Sequence, residues 1–174
     1  MPALTLRDTG TRITDLPTCV RLLKECDVVY ERWGTERLPA SLSSRNLSDA
    51  EKQAVLDAFK ADIDRLKRER GYKTADVVTL YPDTPNLDVL LAKFDKRHLH
   101  TDDEVRFVVQ GRGVFTLFPQ SGPHAGKTID AELHPGDFIT VPANYRHLFT
   151  LCDDKQITAI RIFLDPAGWV AHYV

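Results

Sequence analysis

No stretch of the 174 residues approaches the roughly 18 consecutive apolar residues that a membrane span requires. The opening MPALTLRDTG also lacks a basic segment followed by an apolar run of signal-peptide length. These absences predict a soluble, cytoplasmic protein without a membrane partner. An excess of either charge is lacking too: 23 Lys and Arg stand against 25 Asp and Glu, for a formal net charge of -2. Such a balance gives no global field to attract nucleic acid or an anionic surface, so the expected partner is a small molecule. Cysteine is scarce and odd in number. Of Cys19, Cys26 and Cys152, the first two lie seven apart in a helix-like segment and no CxxC occurs, so buried reduced thiols are expected rather than a disulfide frame or a zinc site. Internal repeats and low-complexity tracts are absent as well.

The length suits one domain, residues 1–174, and a chain of this size buries roughly 70% of the surface its unfolded form exposes. Its texture changes near residue 95. Before that point helical periodicity dominates, which predicts an N-terminal layer of helices and strands over 1–94. TDLPTCVRLLKECDVVYERW places Pro17 at a helix start and runs into a strand-like end. Ser48 and Glu51 have capping-box spacing ahead of Val55, Leu56, Phe59, Ile63 and Leu66, which fall on one face of a single long helix ending near Gly71. ADVVTLYPDTPN reads as a strand stopped by a proline-rich turn, and a short amphipathic helix follows around Leu87 to Phe94.

Over 95–174 the segments EVRFVVQG, GVFTLF, GKTIDAEL, DFITVP, HLFTLC and ITAIRIF are short, rich in β-branched or aromatic residues, and separated by Gly, Pro or Asp. That pattern predicts a sandwich or barrel, mainly β with accessory helices. Gly122, Pro123 and Gly126 mark a hairpin loop, and HPGD at 134–137 a turn.

The sharpest local feature is RHLHTDDEVRF, residues 97–107. Side chains alternate along an extended chain, so His98, His100, Glu104 and Arg106 share one face, while Arg97 and Asp103 fall on the other and are expected to stay solvated. A helix would turn the two histidines about 200° apart. Two imidazoles and a carboxylate suit a divalent iron, nickel, cobalt, manganese or zinc ion; HLH alone fits equally well a solvated strand face that happens to carry histidines. His147, opening a strand after the Pro142 turn, is a candidate fourth ligand, whereas His124, His134 and His172 are expected at the surface. Arg106 is either paired with an anionic ligand or held in a salt bridge to Glu104 or Asp102. Strict alternation would also turn Asp102 inward, so a bend or bulge is expected at TDD.

The wider spacing decides more. His98, His100, Glu104 and Gly111 match the first motif of the cupin superfamily, and Gly136, Pro142 and His147 match most of the second; Ala92, Asn144 and Leu151 depart from the pattern without touching the ligand positions. DEVRF (103–107), TAIRIFLDPAGWVA (158–171), YERW (30–33) and RGYKTADVVTL (70–80) resemble the acireductone dioxygenase family within that superfamily, while the loop around 119–127 looks longer than in some bacterial relatives.

The resemblance implies a single-domain cupin, a double-stranded β-helix or jelly-roll barrel over 95–174, and one Fe(II) or Ni(II) per monomer held by His98, His100, Glu104 and His147. It assigns Arg106 to substrate contact and catalysis and adds Phe107, Phe149, Arg161 and Trp169 to the pocket. Read from the residues alone, Arg161 is either edge-facing or functional, and the three aromatics are either core or pocket wall. The implied reaction is O2-dependent cleavage of the acireductone 1,2-dihydroxy-3-keto-5-methylthiopentene in methionine salvage. Iron gives 4-methylthio-2-oxobutanoate and formate; nickel gives 3-methylthiopropanoate, formate and CO. Another metal-dependent cupin enzyme, or a cupin that binds or regulates without chemistry, fits the ligand set as well.

Overall fold

A computed structural model of the chain describes residues 1–42 and 45–174. The elements in chain order are β1 (Ala3–Leu6), β2 (Thr11–Ile13), α1 (Leu16–Glu25), β3 (Val29–Arg32), α2 (Asp49–Ala58), α3 (Lys60–Arg70), β4 (Thr74–Leu80), α4 (Leu87–Ala92), β5 (His98–Leu99) and β6 (Glu104–Gly111). They continue with β7 (Gly113–Leu117), β8 (Ile129–Leu133), β9 (Asp137–Val141), β10 (His147–Leu151), β11 (Ile157–Phe163), a 3-10 turn (Pro166–Trp169) and β12 (His172–Tyr173).

The helix starts follow their caps. Asp15 accepts a hydrogen bond from the Thr18 backbone N–H at 2.9 Å, and Pro17 sits in the first turn of α1. Ser48 Oγ caps α2 by accepting from Glu51 N–H, but the reciprocal half of the capping box is absent, because Glu51 turns outward to a bidentate pairing with Arg45. The single long helix expected from Ser48 to Gly71 is two helices. Phe59 (φ -111°, ψ 16°) ends α2 and precedes α3, and its buried ring lies 5.9 Å from Trp33 and 4.7 Å from Phe107. Amphipathic periodicity is the same for one helix or for two that share an apolar face, so spacing alone did not reveal the break.

Two antiparallel sheets build the barrel. One runs β12-β5-β10-β7-β8-β1-β2, the other β3-β9-β6-β11-β4. Four strands from before residue 95 take part, so the change in sequence texture does not mark where the sheets begin. β1 and β2 carry no strong strand signature; β1 is fixed by long-range pairing, Leu4 lying opposite Ala131 and Thr5 opposite Asp130. β6 is buried on both faces. Glu104, Arg106 and Val108 share the inner parity, while Val105, Phe107 and Val109 pack with Trp33, Phe59, Phe138, Ile160 and Ile162 on the side covered by α2 and α3. The barrel-side core holds Leu4, Phe115, Leu117, Ile129, Phe149 and Ala159, with Cys19, Leu22 and Leu23 of α1 packed against it. Each fully buried Phe or Ile contributes about 1.5–3 kcal/mol. Cys19 and Cys26 are buried, Cys152 is partly exposed, and all three are free thiols.

Gly111 closes the β6–β7 hairpin at φ +70°, and a Cβ there would collide with the Gln156 carbonyl oxygen. Gly111→Ala is expected to lower stability by about 1–3 kcal/mol, read as a drop in the urea midpoint. An unchanged midpoint would remove the steric argument.

Candidate metal centre

The two sheets meet at the histidines. His98 on β5 lies directly opposite His147 on β10 in the seven-stranded sheet. After His100 the chain bends at Thr101 and Asp102 and crosses to the five-stranded sheet, where β6 presents Glu104 and Arg106. The bend expected at TDD is therefore present, and it is what lets one short stretch contribute ligands from both walls. Asn144, where the cupin pattern has glycine, adopts φ +62° and donates its N–H to the His100 carbonyl at 2.8 Å, so the departure preserves the turn.

Asp103 corrects an expectation. It is not a solvated charge: its carboxylate accepts from Tyr72 O–H at 2.9 Å and from Ala143 N–H at 3.0 Å, while its carbonyl accepts from Trp169 Nε1–H at 3.2 Å. It pins the ligand-bearing bend to β4's approach and to the Pro142 turn. Asp103→Ala strands two donors and is expected to cost about 1–3 kcal/mol, measured by chemical denaturation. A loss below a few tenths would show that the clamp is redundant.

The four candidate ligands are buried, His98 at 0%, His100 at 2%, Glu104 at 4% and His147 at 1% exposure, and one ligand atom from each lies within 4.8 Å of all the others. In every histidine Nδ1 faces a backbone carbonyl: Lys96 at 2.7 Å from His98, Val170 at 3.1 Å from His100, and Tyr145 at 2.8 Å from His147. A carbonyl can only accept, so Nδ1 carries the proton and each Nε2 turns a lone pair inward.

Those lone pairs lack protein donors. His98 Nε2 has no hydrogen-bond partner, and His100 Nε2, 3.0 Å from Glu104 Oε2, lacks hydrogen-bond alignment. His147 Nε2 is 2.8 Å from the same oxygen. Burial pushes His98 down to about 4, so its ring is neutral at neutral pH. Burial alone would raise the Glu104 carboxyl, but the Arg106 guanidinium beside it acts the other way, and Glu104 is held well below the usual carboxylate range. Nitrogen lone pairs converging on a carboxylate repel unless a cation lies between them. A single divalent ion satisfies all four, and the N3O donor set suits iron, nickel, cobalt, manganese or zinc.

Arg106 stands beside this cluster, 8% exposed, donating to Glu104 Oε1 at 2.7 Å while its buried Nε–H has no partner. Its guanidinium carbon lies 5.0 Å from the ring centre of Phe149 and 5.7 Å from those of Phe115 and Trp169. Trp169 stacks on His100 at 6.0 Å. Phe149 and Trp169 thus flank the cluster, and Phe115, cross-strand partner of Phe149, joins them unforeseen.

Phe107 does not join them. It takes the opposite parity of β6 and lies in the helix-side core, a placement the alternation that selected Arg106 already implied. Arg161 shares Arg106's face as its cross-strand partner, is bonded to Asp76 at 2.9 and 2.6 Å, and lies between Phe163 and Trp169. His172 is exposed, as expected. His134 is half-buried against Glu132, and His124 is largely buried, 2.7 Å from Glu25, so neither is a free surface histidine.

Two facing antiparallel sheets around a three-histidine, one-carboxylate cluster define a metal-binding cupin. The ARD/ARD' family model matches residues 3–171, and the chain belongs to that family. Acireductone dioxygenases of Exiguobacterium sibiricum and Bacillus cereus are each 44% identical to it over 174 residues, covering 99% of this chain and 95% and 100% of theirs. The solved acireductone dioxygenase from Bacillus anthracis, with a cadmium ion in its active center, superposes with a TM-score of 0.93 at 44% identity over 99% of this chain and 98% of that one. Among the described residues no helix is long and apolar enough to cross a membrane.

Proposed function

We propose that the protein is a metal-dependent dioxygenase that cleaves 1,2-dihydroxy-3-keto-5-methylthiopentene with O2 in methionine salvage. It acts in the cytoplasm as a monomer carrying one Fe(II) or Ni(II). Its products are 4-methylthio-2-oxobutanoate and formate with iron, and 3-methylthiopropanoate, formate and CO with nickel. The convergence of four buried ligand atoms within 4.8 Å is the observation that carries this reading, and full-length similarity to acireductone dioxygenases supports the substrate.

His98, His100, Glu104 and His147 would hold the ion, which when bound supplies Lewis acidity and a template for two oxygens of the enediolate. The remaining work falls to the chain. The buried guanidinium of Arg106 offers an unpaired N–H beside the cluster, where a substrate anion satisfies both its charge and its donor. Phe115, Phe149 and Trp169 make an apolar wall suited to a methylthio group and exclude water from the reacting end.

The test is to load separate samples with Fe(II) or Ni(II) under anaerobic conditions, add acireductone and O2, and identify the products. Oxygen uptake by both forms, with CO from the nickel form alone, is expected. Absence of uptake would overturn the activity, and one product set from both metals would overturn the metal dependence.

A further inference from the structure

The loop over 119–127 plays no part in the metal centre, yet it is firmly built. Gly126 N–H donates to the Pro119 carbonyl at 3.0 Å, Lys127 N–H donates to the His124 carbonyl at 3.1 Å, and the His124 ring is held 2.7 Å from Glu25 at the end of α1. Beside it lies a cavity of about 400 Å³ lined by Arg97, Phe118, Gln120, Lys127, Thr128 and Arg146. It sits on the outer face of the seven-stranded sheet. Arg97, Phe118 and Arg146 are the sequence neighbours of the inward-facing His98, Leu117 and His147, so alternation turns them the other way.

The electrostatics of this cavity are one-sided. Three cations line it, no acidic side chain does, and among the described residues none of the three pairs with an Asp or Glu side chain. Arg97 Nε–H donates to a main-chain oxygen of Val174, the last residue of the sequence, at 3.1 Å, and its guanidinium carbon lies 5.5 Å from the Phe118 ring centre, which leaves its terminal N–H groups for a ligand beside Lys127 and Arg146. Like charges gathered with no acidic side chain among them repel, and a bound anion offsets them. Guanidinium forks and an ammonium are the donor groups that phosphoryl oxygens accept from. The volume falls within the roughly 300–1,000 Å³ of small-molecule sites, with space beyond a phosphoryl group and an aromatic face to cover it.

We propose that this cavity binds a small phosphate monoester, with the phosphoryl group on Arg97, Lys127 and Arg146 and the organic part against Phe118. The site is separate from the metal chemistry and does not depend on it.

Calorimetric titration of the metal-loaded full chain with ribose 5-phosphate at low ionic strength tests it. Saturable binding at one site per chain is expected, weakened at least about tenfold in Lys127→Glu/Arg146→Glu with metal content unchanged, and weaker for inorganic phosphate than for the ester. Lys127→Met, which removes a charge without adding one, serves the same comparison if the double variant does not fold. No saturable heat, equal affinity in the variants, or equal binding of inorganic phosphate would each overturn the proposal.

Discussion

Alanine at His147 is expected to remove stoichiometric metal and turnover together, with losses well beyond the about 10–100-fold that follows loss of a metal ligand's hydrogen-bonding partner. The geometry makes the effect large. His147 Nε2 is 2.8 Å from Glu104 Oε2 and its Nδ1–H is fixed on the Tyr145 carbonyl at 2.8 Å, so the ring is held with its lone pair on the cluster. Its substitution leaves His98 and His100 on one wall and Glu104 on the other, with the ligand from β10 gone. Elemental analysis beside an oxygen-uptake assay reads both consequences. Full metal content in the variant would strike His147 from the ligand set.

Arg106→Ala is expected to do the opposite to the metal and nearly the same to catalysis. Glu104 is buried and loses its 2.7 Å donor, and an uncompensated buried charge costs about 3–5 kcal/mol in the absence of metal. A bound divalent ion keeps Glu104 paired, so the loaded variant should fold and retain its metal. Substrate recognition should fall by about 100-fold in kcat/KM, equivalent to about 2.8 kcal/mol at 1.4 kcal/mol per tenfold. Arg106→Lys keeps the charge without the planar fork and should recover only part of this, which a purely structural role would not require. A loaded Arg106→Ala enzyme with unchanged kcat/KM would make Arg106 a structural partner of Glu104 and nothing more.

How far these residues were readable in advance depends on the range of the force that places them. Alternation over 98–106 is local, and it put His98, His100, Glu104 and Arg106 on one face, with the awkward Asp102 marking the bend. Of the eight strands after residue 95, the six from β6 to β11 are legible for the same reason. Phe107 has the opposite parity to Arg106, shared with Val105 and Val109, and packs with them in the helix-side core. β1, β2, β5 and β12 were missed because each has at most four residues and is set by its partners: β12 by His172 opposite Leu99, β1 by pairing with β8.

The break at Phe59 and the role of Asp103 depend on contacts with distant residues, Trp33 and Phe107 for one, Tyr72 and Ala143 for the other. No spacing rule reports such contacts. Phe115 had a signal, since it alternates with Leu117 in the strand that pairs with His147, but only the register made that visible.

The central claim is that one ion held by His98, His100, Glu104 and His147 is required for O2-dependent cleavage of the acireductone. Titrating metal-free protein with Fe(II) under anaerobic conditions, then measuring oxygen uptake with acireductone at each point, tests it most directly. Activity should rise linearly from zero and level off at one equivalent per chain. Uptake by the metal-free protein, or a plateau at a different equivalence, would contradict the account.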